Sequence, residues 1–264
     1  MDVVFRLAVY AFSLALMLVA APIAALAQGD TAREALTACV DCPELVPLAA
    51  GVEIGKYLVT VDQFAAFVKA TNYETDDACT QITKTPIENS GNWRDPGFPQ
   101  KGNYPVVCVS WLDATAYVDW LSETTGDAYR LPTVEESQEA AAGGAKTKFP
   151  WGDDVAVVCG HANVADANFK ATFPNDPRQI LTCDDGYAYT SPVDAFPPNG
   201  LGVYDGVGNA WQWTNSCLNG DCANAVFRGA SWTVPNPKFF ALDGTFGDRI
   251  QLRNTAIGFR VLRD

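Results

Sequence analysis

Apolar positions along the chain fall into three regimes. The first is a single block: residues 7–27 are almost wholly apolar, interrupted by Ser13 and Pro22. It ends on Ala25-Leu26-Ala27, the small-x-small pattern read by signal peptidase. Residues 1–27 are therefore expected to be a secretory leader, with Gln28 as the new N-terminus. Left uncleaved, a run of about 20 apolar residues would serve as a single-span anchor. Residues 28–45 begin polar and close on Cys42-Pro43, which predicts a tether.

The second regime is helical spacing, and it occurs in three places. Over 61–70, Phe64, Phe67 and Val68 share a face behind a Thr60 N-cap. Over 112–124, Ala116, Tyr117, Trp120 and Leu121 repeat the pattern and Gly126 ends it. Over 133–142, Thr133 and Glu136 stand at capping-box spacing. The third regime is short apolar runs between Gly, Pro, Asn and Asp, with 105–110 and 258–262 predicted as strands. No repeat or linker divides 46–264. The pattern predicts one compact α+β domain with little regular secondary structure.

Charge and composition narrow the function classes. The 264 residues carry 18 Lys and Arg against 31 Asp and Glu, a net charge of -13. That field repels phosphate backbones and excludes nucleic acid as a partner. A single His, His161, excludes centres built on several imidazoles. It stands beside Asn163, where a local hydrogen bond is expected rather than acid–base work. All eight cysteines follow the leader, and an even number in an exported chain reads as a disulfide framework. Short separations favour Cys39 with Cys42, Cys79 with Cys108, Cys159 with Cys183, and Cys217 with Cys222. These features place the chain in the periplasm or the medium, without stable membrane insertion once the leader is removed.

Several segments go beyond pattern. Tyr104–Leu121 reads YPVVCVSWLDATAYVDWL, 129–133 reads YRLPT, and 149–152 reads FPWG. Ser191–Trp213 reads SPVDAFPPNGLGVYDGVGNAWQW, 228–232 RGASW and 257–261 IGFRV. In this order they resemble the formylglycine-generating enzyme, or sulfatase-modifying factor, family from about Leu45 to Asp264. The resemblance implies a C-type-lectin-like fold stapled by disulfides.

It also implies a copper(I) centre held by two cysteines in Cys-x4-Cys spacing, since soft thiolates suit that ion. Counted from Ser231-Trp232, those positions fall on Val234 and Phe239, neither of which binds copper. Copper is therefore not expected. Cys217 and Cys222 share the x4 spacing but precede RGASW; a loop-closing disulfide is the first reading and a displaced copper pair the second.

The resemblance further implies two structural calcium sites. The first falls on Asn163, the Val164 carbonyl, Asp185 and the Tyr187 carbonyl. The second falls on Asp205, the carbonyls of Gly208 and Ala210, and Gln212, where the family usually has Glu. Hard oxygens with a carboxylate suit Ca²⁺; metal-free turns held by Asx hydrogen bonds are the alternative. The expected binding groove comprises Ser231, Trp232, Val234, Phe239 and Arg253, presented to an exported protein, peptide or small molecule. The resulting expectation is a calcium-stabilised binding or accessory module, with an oxidoreductase using a different site as the alternative.

Overall fold

The computed structural model describes residues 42–83 and 87–264. The expected leader, nearly all of the tether and Cys39 lie outside them. Cys42 and Leu45 already pack against the core, so the chain joins the domain from there.

Three of the helices are those the spacing predicts: α1 (Val61–Thr71), α2 (Trp111–Thr125) and α3 (Val134–Ala142). Each opens on a complete capping box, from Thr60, Ser110 and Thr133, and each ends on a left-handed residue: Asn72, Gly126 and Gly143. The boxes satisfy N–H groups that a helix start leaves unpaired. A short α4 (Ala167–Thr172), capped by Asp166, has no clear periodicity in the sequence.

Two four-stranded sheets share the C-terminal segment. The first orders β1 (Leu45–Pro47), β2 (Glu53–Gly55), β10 (Leu262–Arg263) and β5 (Tyr129–Arg130). The second orders β8 (Thr245–Arg249), β7 (Asp221–Arg228), β6 (Trp211–Leu218) and β9 (Ile257–Phe259). A small hairpin pairs β3 (Thr80–Gln81) with β4 (Glu88–Asn89). The expected strand at 258–262 is thus two strands, because the chain crosses between sheets at Arg260 and Val261.

The expected strand at 105–110 is buried, yet beyond an isolated bridge from Pro105 to Thr60 it forms no ladder. Val106 N–H donates to Val59 O, Cys108 N–H donates to Asn254 O, and Cys108 adopts φ 61°. Bonds to two different segments, the second from a residue in the left-handed region, prevent continuous pairing.

The core lies between α1, α2 and the second sheet. Phe64, Phe67, Tyr117 and Phe259 meet there at centroid separations of 5.3–6.4 Å. Trp213 is fully buried and donates through Nε1 to Val109 O at 3.1 Å, tying β6 to the 105–110 segment. Three disulfides are present, Cys79–Cys108, Cys159–Cys183 and Cys217–Cys222, and Cys42 is also disulfide-bonded.

Candidate binding cleft and cation loops

Beside the second sheet is a cleft of about 900 Å³. Its sheet wall follows from register: Phe227 on β7 is the direct cross-strand partner of Phe246 on β8, and their rings stack at 6.1 Å. Trp211 on β6 stands edge-on to Phe227 at 5.5 Å. The opposite wall comes from 233–239. Asn236 Oδ1 accepts from Lys238 N–H and starts a 3-10 turn over Pro237–Phe239, which sets Phe239 6.1 Å from Trp211 and 5.1 Å from Phe246. Val234, Ile180 and Leu181 complete an apolar lining.

Arg178 also lines the cleft, and each of its guanidinium nitrogens makes a hydrogen bond. It forks onto Asp176 at 2.8–2.9 Å and donates to Thr233 O at 2.6 Å. That fork holds the Asp176 carboxyl below its usual range. The net charge of the pair is zero, so Asp248 is the unneutralised acidic contribution to the lining apart from its weak 3.9 Å contact with Arg249.

Of the five expected groove residues, Val234 and Phe239 line the cleft and the other three do not. Ser231 is buried, with its hydroxyl 3.0 Å from that of Thr233. Trp232 is 1% exposed, packed among Phe98, Phe169, Phe173 and Tyr189, and its Nε1 donates to Thr255 O. Arg253 turns to α2, where Nε and an Nη each donate to fully buried Asp113 at 2.8 Å. Asp113 also accepts from Tyr73 Oη at 3.0 Å, so this helix residue is an ion-pair centre as well as a cap. Conversely, Trp211, Phe227 and Phe246 line the cleft but were not readable as site residues. Their signal is the β6–β7–β8 pairing, which sequence spacing did not disclose.

The two expected cation loops adjoin one another, since Asn209 N–H donates to Asn163 O at 2.9 Å. In the first, Asn163 is buried and its Oδ1 has no hydrogen-bond partner, while its Nδ2 donates to Tyr189 O. Asp185 accepts from the N–H groups of Val164 and Tyr187 at 2.7 and 2.8 Å, which leaves each carboxylate oxygen a further lone pair. Among the described residues no donor pairs with the carbonyls of Val164 or Tyr187. Burial pushes the Asp185 carboxyl up to about 7, and the nearby charges of Asp166 and Asp184 add to the rise. Cys159 lies within 4.8 Å of the Asp166 and Asp185 oxygens, but its sulfur is bonded to Cys183 and pins the loop instead. A buried amide oxygen without a donor, next to a carboxyl whose pKa burial raises, fits a hard divalent cation.

The second loop offers less. Asp205 is 5% exposed and in the left-handed region at φ 48°. Its Oδ2 accepts from Asn209 Nδ2 and its Oδ1 has no partner. Gln212 directs its Nε2 to Asp205 O at 2.9 Å, and its Oε1 accepts from Arg260 Nε at 3.2 Å. Arg260 is itself buried, donating to Gly55 O and Tyr204 O at 2.6 Å each. Burial raises the Asp205 carboxyl to about 7, opposed by Asn209 and Arg260. Gly208, at φ 90°, admits no side chain, because a Cβ there would lie 2.8 Å from Asn163 O. His161 is exposed and stacks on Trp151 at 5.6 Å.

Residues 26–264 match the sulfatase-modifying factor enzyme 1-like domain. The formylglycine-generating enzyme of Thermomonospora curvata is 35% identical over 189 residues, covering 61% of this chain and 58% of the relative. The inactive C-alpha-formylglycine-generating enzyme 2 of Bos taurus is 40% identical over 155 residues, covering 56% and 46%. The chain thus spans about half the length of these curated relatives. Among solved structures, PvdO from Pseudomonas aeruginosa superposes with a TM-score of 0.67 at 31% identity, covering 83% of this chain and 82% of that one.

Proposed function

The chain belongs to the sulfatase-modifying factor enzyme 1-like domain family, and on that premise we propose that it is an exported binding or accessory module stabilised by calcium. The observation that carries this reading is the cleft itself. Val234 and Phe239, which the resemblance sets at the family's copper-cysteine positions, supply hydrocarbon and an aromatic ring, and they complete an apolar lining with Trp211, Phe227 and Phe246. Such a lining desolvates an apolar group of a partner and has no donor atom suited to copper(I) at those two positions. Every described cysteine is in a disulfide. That a relative 40% identical over its matched segment is named inactive is consistent with a scaffold kept for binding.

Calcium at the first loop would be held by Asn163, Asp185 and the carbonyls of Val164 and Tyr187, and would neutralise charge that burial makes costly. The second loop supplies one carboxylate beside a buried guanidinium, so the affinity there is lower. Export is supported by the apolar N-terminal block and the disulfides; among the described residues no helix is long and apolar enough to cross a membrane.

The second reading, an oxidoreductase acting at another site, is favoured by the likeness to relatives named formylglycine-generating enzyme. The deciding experiment titrates an anilinonaphthalene sulfonate probe into the purified protein. Saturable binding at one site, displaced on changing Phe239 to Ala, supports the module. Binding that ignores Phe239, or none, removes it.

A further inference from the structure

The three described disulfides sit in different surroundings. Cys79 and Cys108 are both fully buried, and Cys159 is buried. Cys217 and Cys222 are both exposed. They bridge the tip of the β6–β7 hairpin with a sequence separation of 5, against 29 and 24 for the other two bridges.

That hairpin does not need the bridge for its register. Asn219 and Gly220 both take positive φ, 52° and 81°, and join Leu218 directly to its partner Asp221. An Asn-Gly pair in this conformation closes a two-residue hairpin by itself. Asp221 adds bonds to Ala223 N–H and Asn224 Nδ2. The bridge also closes a short loop, so it removes little entropy from the unfolded chain compared with the longer ones. The ladder is irregular here: Cys217 lies opposite Ala225 rather than Cys222, with register shifts on both sides. Bulges of this kind re-aim side chains beside functional sites. Finally, the two half-cystines form one wall of a cavity of about 160 Å³ whose other walls include Trp111, Ser216, Asn224 and Ile250.

We propose that Cys217–Cys222 is a thiol-exchange site that takes a small cysteine-type thiol. The attacking thiolate bonds to one protein sulfur, the Cys217–Cys222 bond breaks, and the other sulfur leaves with the electron pair and takes a proton from water. A second thiol then displaces the mixed disulfide. Two thiols are oxidised to a disulfide and the protein bridge is reduced to two thiols. The cavity seats the body of the first thiol, and exchange is slower at the fully buried Cys79–Cys108 bridge and at Cys159–Cys183, where Cys159 is buried and Cys183 half-buried. This assignment is independent of what the apolar cleft binds.

The test incubates the oxidised full chain with L-cysteine or glutathione without denaturant, quenches with iodoacetamide and maps the labelled peptides. Cys217 and Cys222 should be labelled at least about tenfold faster than Cys79, Cys108, Cys159 and Cys183, given the dependence of exchange on access. L-cysteine should act faster than bulkier glutathione. The double variant Cys217→Ser/Cys222→Ser should keep the far-ultraviolet circular dichroism of the parent and lose the fast-labelling pair. Equal rates at all bridges, labelling only on unfolding, or glutathione acting faster than L-cysteine would overturn the assignment.

Discussion

Trp211 and Phe239 face each other with ring centroids 6.1 Å apart and planes 69° apart, one on a central strand and the other on a 3-10 turn. The pair joins the two walls of the cleft. Phe239 is partly exposed, so truncating it should remove ligand contact without collapsing the fold. Phe239→Ala is predicted to weaken binding of the apolar probe about tenfold, a loss of about 1.4 kcal/mol. A fluorescence titration of parent and variant checks it, with thermal unfolding confirming that the variant is folded.

Trp232 provides the opposite case. Its four neighbouring rings and 1% exposure make it a core residue. Trp232→Ala should cost about 3–5 kcal/mol of stability through cavity formation. Urea unfolding should show a lower midpoint.

Much of this was legible in the chain, and the boundary is physical. The starts of α1 and α3 and the end of α2 were readable because capping is local chemistry: Thr60, Thr133 and the closing Gly126 act on neighbours three or four residues away; the Ser110 cap of α2 was not singled out. The nearest-neighbour pairing of six cysteines was likewise readable from separation. The β6–β7 hairpin was not, because Trp211 to Thr214 are all buried and show no alternation. The cleft depends on that hairpin, so Phe227 and Phe246 were invisible as site residues. Arg253 was placed in the groove by its position between RGASW and IGFRV; its buried carboxylate partner is 140 residues away.

The Arg253–Asp113 pair gives a further prediction. Both Asp113 oxygens accept from the guanidinium, and Asp113 is fully buried. Asp113→Ala leaves a 10%-exposed Arg253 side chain with only the exposed Asp76 and also removes a helix cap. The loss should reach about 3–5 kcal/mol, as for other broken buried pairs. Chemical denaturation of the variant measures it.

Calcium and pH should be linked. Burial disfavours the charged form and pushes the Asp185 and Asp205 carboxyls up to about 7 in the folded state, against 3.8 for an unperturbed Asp. The folded state then binds more protons than the unfolded state between those values. Metal-free protein should therefore lose stability as pH rises from about 4 to about 7 and change little from these groups above it. Calcium should oppose the loss, so its stabilisation should be greater at pH 7.5 than at pH 5. Asp185→Asn should abolish most of that calcium response. Thermal scans with calcium or chelator at both pH values test the sign.

The most direct test of the central claim is oxygen uptake by the purified oxidised protein supplied with copper(I) and a cysteine-containing peptide. A binding module with Val234 and Phe239 at the cleft predicts no uptake beyond that of copper and peptide alone. Sustained, protein-dependent uptake with conversion of the peptide cysteine would contradict it and make this chain an oxidase.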